Sequence, residues 1–199
     1  MPILQILIHF TITGLVSNSK LTGSDCLIHN KQYSYEYLYS SSSNDTKNVY
    51  LLPLAKVDNF NYLRWSIDPV PGNSEQFYLR SSHFGTRLCA VNNMMKDVFF
   101  SRGSKKNVGI IISSSSDYIQ NCKWIIKRTD ANSNKTTAYF MDNVFYGDSL
   151  YPTMTSFMSI LKQNENKRKI ILWNRNKSSL KSNKFKWFID CNKGNYLWI

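Results

Sequence analysis

Three tryptophans, each followed two residues later by an isoleucine, place the strongest constraint on the fold of this chain. They occur in "RWSID" at Trp65, "KWIIK" at Trp124 and "KWFID" at Trp187, so that the tryptophans are 59 and 63 residues apart. Residues two apart on a β-strand point to the same side of a sheet. The pattern therefore predicts one structural unit built three times, with the Trp and Ile of each copy facing a shared core.

The segments that precede each tryptophan also recur in a fixed order. A leucine is the penultimate residue of "QYSYEYLY", "HFGTRLC" and "FYGDSLY", and five residues before it stands a ring residue, namely Tyr33, His83 or Phe145. A strand-like run precedes each of these stretches ("CLIHN", "FYLRS", "AYFMDN"), and another follows ("VYLLPL", "VFFS" from Val98, "KIILWN"). Short β-branched and aromatic runs between polar clusters indicate four strands per copy.

Three four-stranded copies predict an all-β fold of the β-trefoil type, closed around a pseudo-threefold axis. One copy cannot bury its own apolar side, whereas three copies close a barrel and leave few free strand edges. We expect a single domain over residues 20–199, with repeats near 24–73, 74–135 and 136–199. The apolar content of 42% is high enough for a packed core.

The first 19 residues predict a secretory signal peptide, because a mostly apolar run from Ile3 to Val16 ends in small polar residues. The run is shorter than the roughly 20 apolar residues that cross a bilayer, so no membrane span is expected. Three Asn-x-Ser/Thr sequons agree weakly with secretion and give candidate glycosylation sites at Asn44, Asn134 and Asn176.

Four cysteines without a Cys-x-x-Cys pair favour two disulfides over a zinc site. Spacing alone allows three pairings. The order of the repeats makes the first strand of the first copy and the last strand of the third copy neighbours in a closed trefoil, which favours Cys26 with Cys191 and leaves Cys89 with Cys122 inside the second copy. We expect the second bridge to flank an inserted segment.

Positive charge is concentrated near the C-terminal end. The formal net charge is +12, and residues 162–193 contribute +8 from ten basic and two acidic residues. Loops of this composition suit sulfate, phosphate or anionic surfaces. The alternative is a solvated basic face with no specific partner. The candidate ligand-binding residues are Lys162, Lys167, Arg168, Lys169, Arg175, Lys177, Lys181, Lys184 and Lys186.

Catalytic chemistry is poorly supplied. Beyond the expected signal peptide the histidines are His29 and His83, and the sequence contains no HExxH and no GxSxG motif. The alignment of His83 with Tyr33 and Phe145 suggests packing in the core. We therefore expect no enzymatic activity, no cofactor and no metal.

The sequence of the first repeat, "NKQYSYEYLY…VYLL…RWSID", resembles the units of secreted insect β-trefoil proteins. It also resembles the units in the trefoil half of the insect 30-kDa haemolymph lipoproteins. That resemblance implies a binding or storage protein. Ricin-type lectins carry Gln-x-Trp in each unit, whereas Leu63, Cys122 and Phe185 stand at that position here. Fibroblast growth factors, which are more distantly similar, bind heparin through a basic surface in the third unit.

Three functions follow in order of preference. The first is a secreted, monomeric binding protein whose basic third repeat recognises a polyanion outside the cell, either a glycosaminoglycan or an acidic surface, and not nucleic acid. The second is a protease inhibitor, or an antagonist of a host defence or clotting factor, acting through a protruding loop from Asn92 to Gln120 that offers Arg102, Lys105 and Lys106. The third is a carbohydrate-binding lectin.

Overall fold

The computed structural model describes residues 22–41, 49–92, 108–113, 116–129, 137–152, 167–175 and 181–191. Within those ranges the chain is all-β, joined by short 3₁₀ turns. The strands are β1 (Gly23–Asn30), β2 (Glu36–Ser40), β3 (Val49–Pro53), β4 (Arg64–Val70), β5 (Asn73–Ser81), β6 (Arg87–Asn92), β7 (Val108–Ser113), β8 (Lys123–Arg128), β9 (Ala138–Asn143), β10 (Ser149–Pro152), β11 (Arg168–Trp173) and β12 (Trp187–Asp190). For brevity, β1–β4, β5–β8 and β9–β12 are called the first, second and third units.

Six strands close a barrel in the order β1, β4, β5, β8, β9 and β12, with β12 pairing back onto β1. All of these pairs are antiparallel. The remaining strands form the hairpins β2–β3, β6–β7 and β10–β11, one in each unit. Strand β11 also pairs with β3 and β7, which joins the three hairpins to each other.

The three tryptophans point into the barrel as predicted. Trp65, Trp124 and Trp187 are fully buried, and the indole N–H of each donates to a backbone carbonyl within its own unit. The distances to the carbonyl oxygens of Leu38, Leu88 and Leu150 are 2.9, 2.8 and 3.2 Å, respectively. A buried indole N–H needs such an acceptor. Each tryptophan therefore ties the last strand of a unit to the second strand.

The isoleucine that follows each tryptophan shares its side of the strand. Ile67 is buried, while Ile126 and Ile189 are partly buried and pack against the same core cluster. The second strands contribute Leu38, Leu88 and Leu150 to that cluster, and the third strands contribute Leu51, Ile112 and Leu172. Their pairing register is the same in each hairpin. Inward and outward alternation along each strand therefore builds one common core.

The turn that follows the first strand of each unit differs from the sequence alignment. Tyr33, Phe84 and Tyr146 pack against the core, whereas His83 and Phe145 are exposed. The first turn is one residue longer than the other two. An alignment on the leucine therefore matches Tyr33 with His83 and Phe145, whereas the structure matches it with Phe84 and Tyr146. In the shorter turns, Gly85 and Gly147 adopt positive φ angles of 66° and 70°.

The third strand of the second unit is not the one that the sequence predicts. It is β7, with the sequence VGIIIS, which pairs with β6 over six residue pairs from Arg87↔Ser113 to Asn92↔Val108. The stretch "VFFS", predicted as that strand, lies outside the described residues. A 3₁₀ segment follows from Ser116 to Cys122. The part of the predicted Asn92–Gln120 loop that the structure describes is therefore largely strand and 3₁₀ turn.

Both predicted disulfides are present. Cys26 is bonded to Cys191 across the β1–β12 junction, and Cys89 is bonded to Cys122 within the second unit. The second bridge occupies a position that apolar side chains fill in the other units. There Tyr39 packs with Leu63, and the ring of Tyr151 lies 4.9 Å from that of Phe185.

No helix in the described ranges is long and apolar enough to cross a bilayer.

Candidate functional site

Two of the predicted surface cations are held by carboxylates. The Arg168 guanidinium donates to Glu36 through Nε at 2.7 Å and through a terminal nitrogen at 2.9 Å, and it lies 3.6 Å from the ring centroid of Tyr33. Burial opposes the charge of Arg168, but the Glu36 carboxylate outweighs it and raises the pKa of the guanidinium. Arg168 therefore joins β11 to β2 as an ion pair.

Arg175 has similar surroundings. A terminal nitrogen of Arg175 lies 2.8 Å from the Asp142 carboxylate, and the guanidinium lies 3.8 Å from the ring centroid of Phe140. Both side chains of this ion pair are 16% exposed. The charges of Arg168 and Arg175 are thus matched by carboxylates, which makes both residues poor candidates for binding an anion.

The lysines are placed differently. Lys167, Lys169 and Lys181 are exposed, and Lys184 and Lys186 are half-buried. The ammonium of Lys167 lies 5.8 Å from the ring centroid of Tyr50, and that of Lys184 lies 5.6 Å from the ring centroid of Tyr151. Such contacts let the aliphatic stem cover apolar surface while the charged group stays near water.

Several predicted residues lie outside the described part of the chain. They are Lys162, Lys177, Arg102, Lys105, Lys106 and the three sequon asparagines Asn44, Asn134 and Asn176. The structure places none of them.

A buried asparagine fastens the lysine-rich segment of the third unit to the first unit. Asn30, at the end of β1, is fully buried and donates through Nδ2 to the carbonyl oxygens of Lys184 at 2.9 Å and Lys186 at 3.2 Å. Its Oδ1 accepts from the backbone N–H of Gln32 at 3.0 Å. The N–H of Lys31 donates to the Lys186 carbonyl at 2.8 Å. This arrangement, which we call the Asn30 lock, brings Lys31 to Lys184 and Lys186.

The other two unit junctions carry related locks. Asn143 donates to the carbonyl oxygens of Asn121 at 2.8 Å and Lys123 at 3.3 Å. At the junction of the first and second units the equivalent residue is Ser81, whose side chain is too short. There Ser40 bridges the gap, because its hydroxyl contacts the Ser81 hydroxyl and the Tyr62 carbonyl, both at 3.0 Å.

Aromatic rings lie beside the Asn30 lock on the outer wall of the barrel. His29 stands directly opposite Phe188 on β12 and opposite Tyr37 on β2. The ring centroid of His29 lies 5.0 Å from that of Phe188 and 5.3 Å from that of Tyr37. Burial lowers the pKa of His29, and the charge of Asp190 opposes this shift only in part. We call Phe188, His29 and Tyr37 the ring row.

Lys31 is the residue that the sequence analysis missed. Its ammonium lies 5.9 Å from the ring centroid of Phe188. Lys31 lies far from residues 162–193 in sequence, so the charge count did not include it. The signal was present nonetheless, because the expected neighbourhood of Cys26 and Cys191 already placed β1 beside β12.

The position of His83 differs from the one that the sequence predicts. His83 is exposed and lies against rings, with centroid distances of 4.9 Å to Tyr62 and 4.6 Å to Phe84. The expectation that it packs in the core was wrong, for the alignment reason given above. Among the residues that the structure describes, no three His, Cys, Asp or Glu side chains are grouped to hold a metal.

Comparison with known proteins gives the fold. No protein-family model and no curated sequence matches this chain. Solved structures do match. An SDF2-like protein from Arabidopsis thaliana has a TM-score of 0.61 at 12% identity, over 85% of this chain and 94% of that one. The BEL β-trefoil has a TM-score of 0.53 at 11% identity, over 83% of this chain and 92% of that one.

A third match is the Polyporus squamosus lectin, solved with a human-type influenza-binding epitope. Its TM-score is 0.56 at 17% identity, over 84% of this chain and 49% of that one, so this chain spans about half of the lectin. Identities this low show similarity of fold alone, and the resemblance to insect proteins is not tested by them. Together with the strand pairing, they identify the fold of this chain as a β-trefoil.

Proposed function

We propose that this chain is an extracellular, non-enzymatic binding protein that recognises a polyanion through lysines at the junction of its first and third units. The observation that carries the proposal is the Asn30 lock. It holds the backbone of Lys184 and Lys186 against the turn that carries Lys31. The lock fixes the two backbone segments from which these three lysine side chains extend, and preorganisation of this kind lowers the entropic cost of binding.

The aromatic contacts of these lysines support the same reading. The ammonium groups of Lys31 and Lys184 lie 5.9 and 5.6 Å from the ring centroids of Phe188 and Tyr151, respectively. A lysine that rests on a ring loses less side-chain freedom when it meets an anion. Ammonium groups bind sulfate or phosphate as point charges, so a polyanion with either group fits.

Secretion and domain limits belong to the same proposal. We infer that residues 1–19 are a signal peptide and that residues 20–199 form one domain, whose three units are the repeats near 24–73, 74–135 and 136–199. The recurrence of the Trp hydrogen bond in each unit supports three repeats. The two disulfides support an oxidising compartment. In that setting a glycosaminoglycan is a more accessible polyanion than nucleic acid.

Heparin affinity chromatography tests the proposal. The double variant Lys31→Gln with Lys186→Gln should elute at clearly lower salt than the wild type. The matched control is Lys56→Gln with Lys127→Gln, which removes the same charge from exposed positions elsewhere. By analogy with counterion release from nucleic acids, the slope of log affinity against log salt should fall by roughly two for the first pair.

The proposal fails if the wild type elutes below physiological salt. It also fails if both double variants shift elution equally, because the effect would then report net charge and not a site. Circular dichroism and thermal unfolding establish that each variant is folded.

A further inference from the structure

The ring row occurs at one of the three unit junctions. Strand register identifies the equivalent positions at the other two junctions, because β4 pairs with β5 and β8 pairs with β9 in the same way that β12 pairs with β1. The row of Phe188, His29 and Tyr37 is replaced there by Ser66, Arg80 and Arg87, and by Ile125, Asp142 and Ser149. The barrel therefore closes at two of its three junctions without such a row.

At each of these junctions one of the equivalent positions carries a charged residue that belongs to an ion pair. Arg80 lies against the carboxylate of Asp68, and Asp142 against Arg175. The ring row thus replaces charged contacts with three half-buried rings on the outer wall. Partly exposed rings on adjacent strands leave apolar surface in contact with water, and burying that surface against a ligand is favourable.

Cations border the same surface. Lys31 extends over Phe188. Lys186 has an extended backbone conformation immediately before β12, so its side chain lies on the same face as that of Phe188, two residues further on. Asp190 follows on that face, and its charge favours protonation of His29. The surface therefore joins rings to two lysines, with one carboxylate at its far end.

We propose that the ring row and its lysines bind an acidic carbohydrate, a chain whose sugar rings carry sulfate or carboxylate groups. This inference rests on the polyanion function proposed above and names its ligand class. The C–H faces of sugar rings cover the aromatic surface of Phe188, His29 and Tyr37, while Lys31 and Lys186 reach the anionic groups. Neighbouring strands lie about 4.8 Å apart, so three rings on β12, β1 and β2 span roughly 10 Å.

A carbohydrate fits this geometry better than single-stranded nucleic acid. Bases stack on open aromatic faces. Here adjacent rings are tilted by 36° and 41° to one another and are half-buried, so the row offers edges and partial faces. A sugar ring, with C–H groups at several orientations, can contact such a surface without a flat platform.

Binding of two probes to the full mature chain separates rings from charges. The probes are heparin, which has sugar rings, and inorganic polyphosphate, which has none. We expect Phe188→Leu to weaken heparin binding by about threefold to tenfold, as estimated from the strength of aromatic contacts, and to weaken polyphosphate binding less, because there only the contact of Lys31 with the ring is lost. Phe188→Tyr, which keeps the ring, should bind heparin like the wild type. Lys31→Gln should weaken both probes, and Lys127→Gln, the matched control, neither.

The outcomes distinguish the two proposals. If Phe188→Leu weakens both probes equally or neither, the ring row does not recognise sugar, while a selective effect of Lys31→Gln still supports a polyanion site. If the wild type binds neither probe, the polyanion function itself is overturned. If oligo-dT of comparable charge binds more tightly than heparin and depends on Phe188, the ligand is nucleic acid and the carbohydrate assignment is wrong. Unchanged thermal unfolding of Phe188→Leu excludes a general loss of structure.

Discussion

Replacing Asn30 with alanine should damage both the stability and the ligand affinity of this protein. The substitution removes three hydrogen bonds from a fully buried side chain: two to the carbonyl oxygens of Lys184 and Lys186, and one from the N–H of Gln32. Lys186 keeps a partner, because its carbonyl still accepts from the N–H of Lys31. The Lys184 carbonyl and the Gln32 N–H lose their hydrogen bonds to Asn30 and must bind water instead.

The size of the effect follows from those two groups. An unsatisfied buried polar group costs about 1–3 kcal/mol. Partial hydration near the surface reduces that cost, so we expect Asn30→Ala to lower the free energy of unfolding by about 2–4 kcal/mol. Urea unfolding followed by tryptophan fluorescence measures it, with the three buried tryptophans as reporters.

The fold supplies its own control. Asn143 makes the equivalent bonds at the junction of the second and third units, to Asn121 and Lys123 and from the N–H of Tyr146. Asn143→Ala should therefore destabilise the protein by a similar amount. Only Asn30→Ala should also lower the salt concentration at which the protein leaves a heparin column, because only the Asn30 lock positions Lys31 with Lys184 and Lys186.

Two results would refute this reasoning. A loss of less than about 1 kcal/mol for Asn30→Ala would show that the lock carries little energy. Equal losses of heparin affinity in the two variants would show that the affinity follows overall stability and not the position of the lysines.

Three further predictions concern stability. Glu36→Gln should cost about 2 kcal/mol or more in urea unfolding, since it leaves the largely buried charge of Arg168 without its carboxylate; a neutral result would contradict the ion-pair assignment. Replacing Cys89 and Cys122 with alanine should cost about 4 kcal/mol, because that bridge closes a 33-residue separation; an unchanged unfolding midpoint would refute it. Because the pKa of His29 is lowered from 6.5, its contribution is present above that pH and is lost on acidification; stability of His29→Gln should therefore fall less steeply below pH 6.5.

The sequence predicted the strand order because that information is local and repeated. Trp65, Trp124 and Trp187 each carry an isoleucine two residues later, and this spacing alone sets which side of the strand is buried. The disulfide pairing followed from the same order. The alignment of the turns was predicted wrongly, because the first turn is longer than the second. Asn30 stands eight residues before Leu38, whereas Ser81 stands seven residues before Leu88.

The candidate site was harder to predict because it depends on contacts between distant residues. Glu36 neutralises Arg168 from 132 residues away, and no local pattern announces that pairing. Lys31 joins the lysines of the third unit only because the barrel closes β12 onto β1. Charge counted along the chain therefore included two paired arginines and omitted a lysine that lies at the surface of interest.

The Cys89–Cys122 bridge suggests how the scaffold can be redesigned. It stands where Tyr39 and Leu63 meet in the first unit and where Tyr151 and Phe185 meet in the third. The same position in the fold is therefore held by a disulfide in the second unit and by apolar packing in the other two units. Exchanging Cys89 for tyrosine and Cys122 for leucine would copy the first unit into the second. That exchange is a direct route to a version in which Cys26–Cys191 is the one remaining disulfide.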